Sequence, residues 1–599
     1  MALAQYSVQG IVRSAETNKL MAGVEVYNQE LNTVSPTNSR GEFTFVFNES
    51  GTYTFIVFTA GYNAHEEVVE VSGNLTLDIK LEPFSRELSE VVIQQKREEI
   101  FGLNRLNPVE GTAIYAGKKS EVVLLDRAVM NRSANNARQI YAQVVGLNIY
   151  ENNDAGLQLN IGGRGLDPNR TSNFNTRQNG YDISADVLGY PESYYTPPAE
   201  GLSEIQVIRG AASLQYGTQF GGLVNFKSKK PVKDKPIEWV TRQGYASFNL
   251  FTSFNSLSGT IGKFSYYTYF NYKKGDGFRP NSGFKSKNFF ASMNYELASN
   301  TNLTFETTYL NYLAQQPGGL TDSQFEEDID FSNRERNWFE VDWQLYSLKL
   351  QHKFSLKNEL SVQLFGLNAG RNALGFRGDP QRPERNPITE PDDPSFVRDF
   401  ISGKFNNWGV EARFLNRYTM GKKDAVFLVG AKYYQAQNTS RQGPGPTGSD
   451  ADFRFVNDEF PSYPNQSDFT FPNLNFALFG ENIFMINERL SLTPGFRIEY
   501  IDTESQGEYL IVRYDNAGNE IFRKDTTDNR TFKRSLVLLG MGLSYIYPSG
   551  SELYANISQN YRSVTFSDIR VVNPTFIIDP NIRDEDGFTA DVGLRGKVG

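Results

Sequence analysis

From about Ile237 to the last residue the chain repeats one theme: segments of roughly ten residues alternate apolar and polar side chains, joined alternately by short turns and long polar loops. Successive side chains of a strand point to opposite faces, so each segment has two faces that want different solvents. In Asn302 to Tyr309, Leu303, Phe305 and Tyr309 share one face, and Asn302, Thr304, Glu306 and Thr308 share the other. Leu360, Val362 and Leu364 oppose Ser361 and Gln363, while Leu553, Ala555 and Ile557 oppose Glu552, Asn556 and Ser558. The pattern suits a soluble sandwich with its apolar face inward, or a transmembrane barrel with its apolar face in lipid and its polar face in the lumen. Periodicity does not choose between them. The length of the region, its loops and ring clusters such as Phe264-Ser265-Tyr266-Tyr267-Thr268-Tyr269-Phe270 near strand ends favour the barrel, because aromatic side chains gather at membrane interfaces.

The 599 residues include 45 Phe, 32 Tyr, 4 Trp and 51 Gly, a mixture that favours extended chain over helix. No run of about 18 apolar residues is present to make a membrane-spanning helix. The absence of cysteine removes disulfides, thiolate metal sites and cysteine nucleophiles together. His65 and His352 stand in no ligand spacing, and His65-Glu66-Glu67 lacks the second histidine of a zinc-protease helix. There is no Gly-x-Ser-x-Gly elbow and no phosphate loop, so the chain reads as a binding or transport protein and not as an enzyme. A formal net charge of -9 argues against nucleic acid as a partner.

Residues 5–83 alternate in short segments, Ser7 to Arg13, Val24 to Asn28, Phe43 to Phe47, Tyr53 to Phe58, Glu67 to Val71 and Leu75 to Leu81, and read as a small β-sandwich. Gly10, Gly23-Val24-x-Val26, Arg40-Gly41-x-Phe43 and Gly51-x-Tyr53 follow in an order that resembles the carboxypeptidase-regulatory-like domain, a likeness that implies no peptidase activity. Residues 84–100 form a polar linker around Val91-Val92-Ile93. Residues 101–231 mix helix and strand signals. A helix is expected within Asn131 to Val145, with Ser133 as cap, and strands at Glu121 to Leu125, Leu147 to Tyr150, Gln158 to Ile161, Ile205 to Ile208 and Leu223 to Lys227. Met1-Ala2-Leu3-Ala4-Gln5 holds the small-x-small pattern left by signal peptidase, so a mature exported protein is expected.

Two stretches of the third segment, Gly162-Gly163-Arg164-Gly165 and Val207-Ile208-Arg209-Gly210-Ala211-Ala212-Ser213-Leu214-Gln215-Tyr216-Gly217 closing with Gly221-Gly222-Leu223-Val224-Asn225, resemble the plug domain of TonB-dependent receptors. Leu88-Ser89-Glu90-Val91-Val92-Ile93-Gln94 resembles a TonB box, an extended peptide suited to adding an edge strand to the TonB C-terminal domain. The resemblance implies a mostly β chain. Its parts are a periplasmic N-terminal sandwich, an α+β plug over 101–231, and a transmembrane antiparallel barrel over 237–599 in the outer membrane. At about 24 residues per strand the barrel region holds roughly 15 strands, against the 22 of plugged transporters, so a C-terminally incomplete barrel is expected. The implied activity is import driven through TonB and its inner-membrane motor, with no cofactor and iron present only in the transported chelate.

Arg164 to Tyr195, with Pro317-Gly318-Gly319-Leu320 and Asn333-Arg334-Glu335-Arg336-Asn337-Trp338-Phe339, is similar to ferric citrate receptors of that family. Guanidinium forks bind carboxylates bidentately. Arg334, Arg336, Arg377, Arg382 and Arg385 in expected external loops, and Arg170, Asn173, Asn175 and Arg177 at the plug apex, are therefore candidate ligand contacts. Arg164, Gly165, Arg209 and Gly210 are assigned to plug structure. A buried charge needs a counter-charge, so Arg164 and Arg209 are expected to pair with wall acids such as Glu306, Glu411 or Glu499. The alternatives are import of another siderophore, haem or a glycan by the same route, and a secreted multi-domain β adhesin or lectin. A passive porin is disfavoured because 101–231 would fill its lumen.

Overall fold

The computed structural model describes residues 6–82 and 103–596, apart from 16, 32, 60–61, 63–64, 127–129, 152–155, 210–212, 218, 379–387, 516–518, 570–577 and 580. Leu88 to Gln94, Gly210, Arg382 and Arg385 lie outside the described residues. The chain divides into two compact units, Met1–Ser89 and Glu90–Gly599.

In the first unit, alternation along Glu42–Phe47 turns Phe43, Phe45 and Phe47 inward, toward Phe55 and Val57 of Gly51–Phe58. Phe45 and Phe55 meet edge-on with ring centroids 5.4 Å apart. One sheet has the order Glu42–Phe47, Tyr6–Ser14, Leu75–Leu81, and the other has Thr33–Pro36, Glu25–Asn28, Gly51–Phe58, His65–Val71. Thr33–Pro36 escapes the sequence pattern because none of its side chains is buried. Gly10 is required opposite Phe43 on the neighbouring strand of the same sheet, since a Cβ there would lie 2.3 Å from the Phe43 ring.

In the second unit a 14-stranded antiparallel sheet runs in sequence order from Glu238–Ala246 to Glu585–Arg595. Its strands are joined by short turns at 262–263, 299–300, 354–357, 421–422, 486–489 and 547–551, which alternate with long loops at 316–337, 376–397, 446–466 and 563–584. The polarity of the wall is inverted relative to a soluble sandwich. Phe305 is 40% exposed beside Glu306 at 6%, and Ile557 is 47% exposed beside Asn556 at 6%. Leu364 and Tyr309 face outward in the same way, while Ser361, Gln363 and Thr308 are buried. Apolar side chains on the outside of a tall sheet and polar ones within are the arrangement of a membrane barrel. Strand pairing satisfies the backbone polar groups of the inner strands, as hydrocarbon surroundings demand, while Glu238–Ala246 and Glu585–Arg595 each pair on one side only within this sheet.

The lumen holds a six-stranded sheet in the order Tyr181–Asp182, Phe174–Gln178, Gly222–Ser228, Leu202–Arg209, Lys119–Leu124, Leu103–Asn104. The helix expected within Asn131 to Val145 shrinks to a single turn, Ala137–Ile140, capped by Asn136 and not by Ser133. The Asn131 carboxamide oxygen accepts from the Ser133 and Ala134 amides, a local bond that competes with helix start. The strand expected at Gln158 to Ile161 begins only at Ile161. Gly222 has φ +107, and a Cβ there would sit 2.1 Å from the Ile208 carbonyl oxygen. Gly222→Ala is therefore expected to destabilise this lumen domain by about 2 kcal/mol or more. The check is protease cleavage of the domain at increasing urea, with the barrel still migrating as folded on a gel.

Candidate functional site

Between the lumen domain and the wall runs a chain of buried charges. Lys118 donates to Glu481 at 2.6 Å, and Gln215 bridges Glu481 and Arg413 at 3.2 Å on each side. Arg413 donates to Glu411 at 2.7 Å, and Glu411 also receives Arg177 at 3.3 Å. Arg177 faces Asp182 at 3.1 Å, and Asp182 accepts from Lys432 at 2.5 Å. Lys118, Arg177, Asp182 and Gln215 belong to the plug side, and Glu481, Arg413, Glu411 and Lys432 to wall strands. Alternating signs let each ion sit without bulk water, which an isolated buried charge does not tolerate.

This arrangement relocates several residues that the sequence assigns to ligand or to plug–wall pairing. Arg177, 1% exposed, is taken up by Asp182 and Glu411, and its Nε also donates to the Asn175 Oδ1. Asn173 donates to the Asp167 carbonyl within the plug. Arg164 reaches the wall, but at Asp591 and not at Glu306, Glu411 or Glu499. Arg209 pairs with Glu121 of the adjacent plug strand. The wall acids are neutralised instead by cations two residues away on the same face of their own strands, Glu411 by Arg413 and Glu499 by Arg497. Glu306 accepts from Asn179 and Ser292. Gly165, at φ +79, forms the turn after Ile161–Gly163.

In the long loops, Arg336 donates to Asp392 and to the carbonyls of Asp393, Phe396 and Thr447. Arg398 donates to the Pro446, Arg336 and Asp450 carbonyls. Three loops are thereby stitched into one canopy. Arg334 lies over the Phe376 ring at 5.1 Å and bonds the Glu390 carbonyl; burial lowers its pKa against the opposing pull of Asp392 and Glu390. Arg377 stays mostly exposed, 3.7 Å from Asp399.

Arg170, of the candidates within the described residues, shares the Tyr194 ring with a second guanidinium. That second group is Arg371, at the long-loop end of Asn358–Gly375. Arg170 and Arg371 lie 5.1 and 5.9 Å from the same Tyr194 ring. Arg170 Nη1 donates to Glu192 at 2.7 Å, and Arg371 Nη2 donates to the Tyr190 hydroxyl at 3.2 Å, while Arg371 Nε has no hydrogen-bond partner. Tyr190, Tyr194, Phe339, Trp343 and Phe405 pack ring against ring beneath the pair, and of these Tyr190 is half-buried and the rest are buried. Sequence reasoning missed Arg371 because it sits on a strand and not in a loop.

Residues 290–599, more than half of the chain, match the TonB dependent receptor-like, beta-barrel family. The chain belongs to the TonB-dependent receptors. Residues 118–223 of this receptor match the TonB-dependent receptor plug domain, and residues 8–93 the CarboxypepD_reg-like domain. No curated protein matches the sequence. The fold is similar to that of the ferric citrate transporter FecA in its unliganded form, with TM-score 0.63 and 20% identity over 80% of this chain and 68% of that one. It is also similar to the ferric-catecholate import receptor Fiu from E. coli, with TM-score 0.62 and 14% identity over 80% and 71% of the two chains. A third likeness is to the copper transporter OprC, with TM-score 0.58 and 14% identity over 82% and 71%. TonB-dependent receptors are outer-membrane transporters, not enzymes, and carry no cofactor.

The buried chain of charges is what holds this receptor's plug in register with its wall. Arg177→Ala removes the bridge between Asp182 and Glu411, which keep Lys432 and Arg413, and is expected to cost about 1.5–3 kcal/mol of plug retention through the lost charge-assisted contacts. The measurement is plug release or cleavage in the detergent-purified receptor as denaturant rises; Arg177→Lys restores charge but not the fork, and is expected to recover only part.

Proposed function

We propose that this receptor actively imports a ferric chelate across the outer membrane, with ferric citrate the foremost candidate. The observation that carries the reading is the pair of guanidiniums, Arg170 from the plug and Arg371 from the wall, held over one ring at the long-loop end of the lumen. A citrate complex of iron presents several carboxylates, and two forks from opposite sides suit such an anion better than one. Likeness to FecA in fold supports the same choice. The partly exposed Tyr190 ring beside the pair favours a second reading, a ferric catecholate, whose flat aromatic groups would stack there.

Coupling is assigned to Leu88 to Gln94, which engage TonB on the periplasmic side, the side to which the N-terminal sandwich is also assigned. Arg170→Ala and Arg371→Ala are each expected to remove charge-assisted hydrogen bonds worth about 1.5–3 kcal/mol, weakening ferric dicitrate binding roughly 10- to 150-fold. Titration calorimetry with ferric dicitrate, ferric catecholates and haem separates the readings; tightest binding of a catecholate would replace citrate. Deleting Leu88 to Gln94 is expected to abolish energy-dependent uptake in cells while leaving that affinity unchanged.

A further inference from the structure

Asp186 is a fully buried carboxylate whose hydrogen bonds all come from neutral donors. It accepts from the Leu188 and Gly189 amides of its own turn at 2.9 Å. The other two donors come from the wall: Asn438 Nδ2 to Oδ2 and Asn473 Nδ2 to Oδ1, each at 2.7 Å. A third wall amide, Asn407 Nδ2, donates to the Ala185 carbonyl at 2.8 Å. The asparagines stand on consecutive strands, Arg398–Met420, Lys423–Gly445 and Ser467–Met485, so one plug turn is grasped by three neighbouring staves. Burial raises the Asp186 carboxyl above its ordinary value, and the four donors pull it back.

The turn is closed by reciprocal backbone bonds between Asp186 and Tyr190 at 2.9 and 3.1 Å. On its far side Gly189 carries the Phe566 ring, where a Cβ would lie 2.1 Å from that ring. It ends at Tyr190, whose hydroxyl occupies Arg371. Because Tyr194 gives its proton to Glu192, Tyr190 gives its own to Tyr194, 2.8 Å away, and accepts from Arg371. An unbroken line therefore links Arg371, Tyr190, Tyr194, Glu192 and Arg170, each guanidinium meeting an internal acceptor where a ligand anion would sit.

We propose that Asn438 and Asn473 are positioning residues for this guanidinium pair: by holding Asp186 against the wall they fix the turn, and with it the Tyr190 hydroxyl as a stand-in acceptor on Arg371. A phenol is a weaker acceptor than a carboxylate, so the stand-in keeps the guanidinium aimed and yields to an anion. The identity of that anion rests on the reading above; the latch does not.

The test reads Arg371 without any ligand, as the rate of its phenylglyoxal modification followed by peptide mass spectrometry in the detergent-purified full chain. Asn438→Leu with Asn473→Leu is expected to free the turn and speed modification about threefold or more, and Tyr190→Phe, which removes one hydroxyl, to do the same. Asp186→Asn is expected to speed it, and adding Asn438→Asp, which exchanges donor and acceptor across the same contact, to return it to the parent rate. Heat-modifiable gel migration verifies a folded barrel in every variant. An unchanged rate in the double leucine variant, or no rescue by the exchange, overturns the positioning role. Failure of the parent to bind ferric dicitrate would instead overturn the proposed ligand, with the modification rates still deciding the latch.

Discussion

A wall with a polar inner face demands partners for that face, and the plug supplies them. Thr308 receives the Gln178 carboxamide, Glu306 the Asn179 carboxamide, and Asn556 donates to the Gly117 carbonyl. Either component without the other would leave buried donors and acceptors dependent on water. The lumen domain is thus the complement of the wall, and the register between them is fixed by which polar groups can meet.

The same chemistry explains how a plug can be firmly placed and still be displaced. Apolar burial holds the N-terminal sandwich together through Phe43, Phe45, Phe47 and Phe55, and water offers those rings nothing in exchange. The chain from Lys118 to Lys432 is different. Buried ion pairs return little more than their desolvation cost, so water can replace the pairings if it is admitted. Specific alignment and modest net stability come from one source.

Above the plug, arginine serves two roles that its sequence context does not distinguish. Arg398 spends its donors on carbonyls, and Arg336 on loop carbonyls and the Asp392 carboxylate, which makes a canopy; Arg170 and Arg371 meet the Glu192 carboxylate and the Tyr190 hydroxyl. The difference lies in the acceptor. A backbone carbonyl of a packed loop is fixed with its chain, whereas Tyr190 and Glu192 offer side-chain acceptors with rotatable bonds of their own.

Alternation in Asn302 to Tyr309 and its fellows was enough to fix two-faced strands, because side-chain direction in a strand is a local property. The glycine and asparagine run from Val207 to Asn225 likewise announced the plug, since positions such as Gly222 answer to contacts close in sequence or in one sheet. The helix within Asn131 to Val145 was over-read because its periodicity is genuine while Asn131 and Asn136 hold the backbone elsewhere. What sequence could not assign was pairing across the lumen. Arg177 meets Glu411, Arg164 meets Asp591 and Arg371 meets Tyr190 because those encounters join residues far apart in the chain, and only the packing of wall against plug brings them within hydrogen-bonding reach.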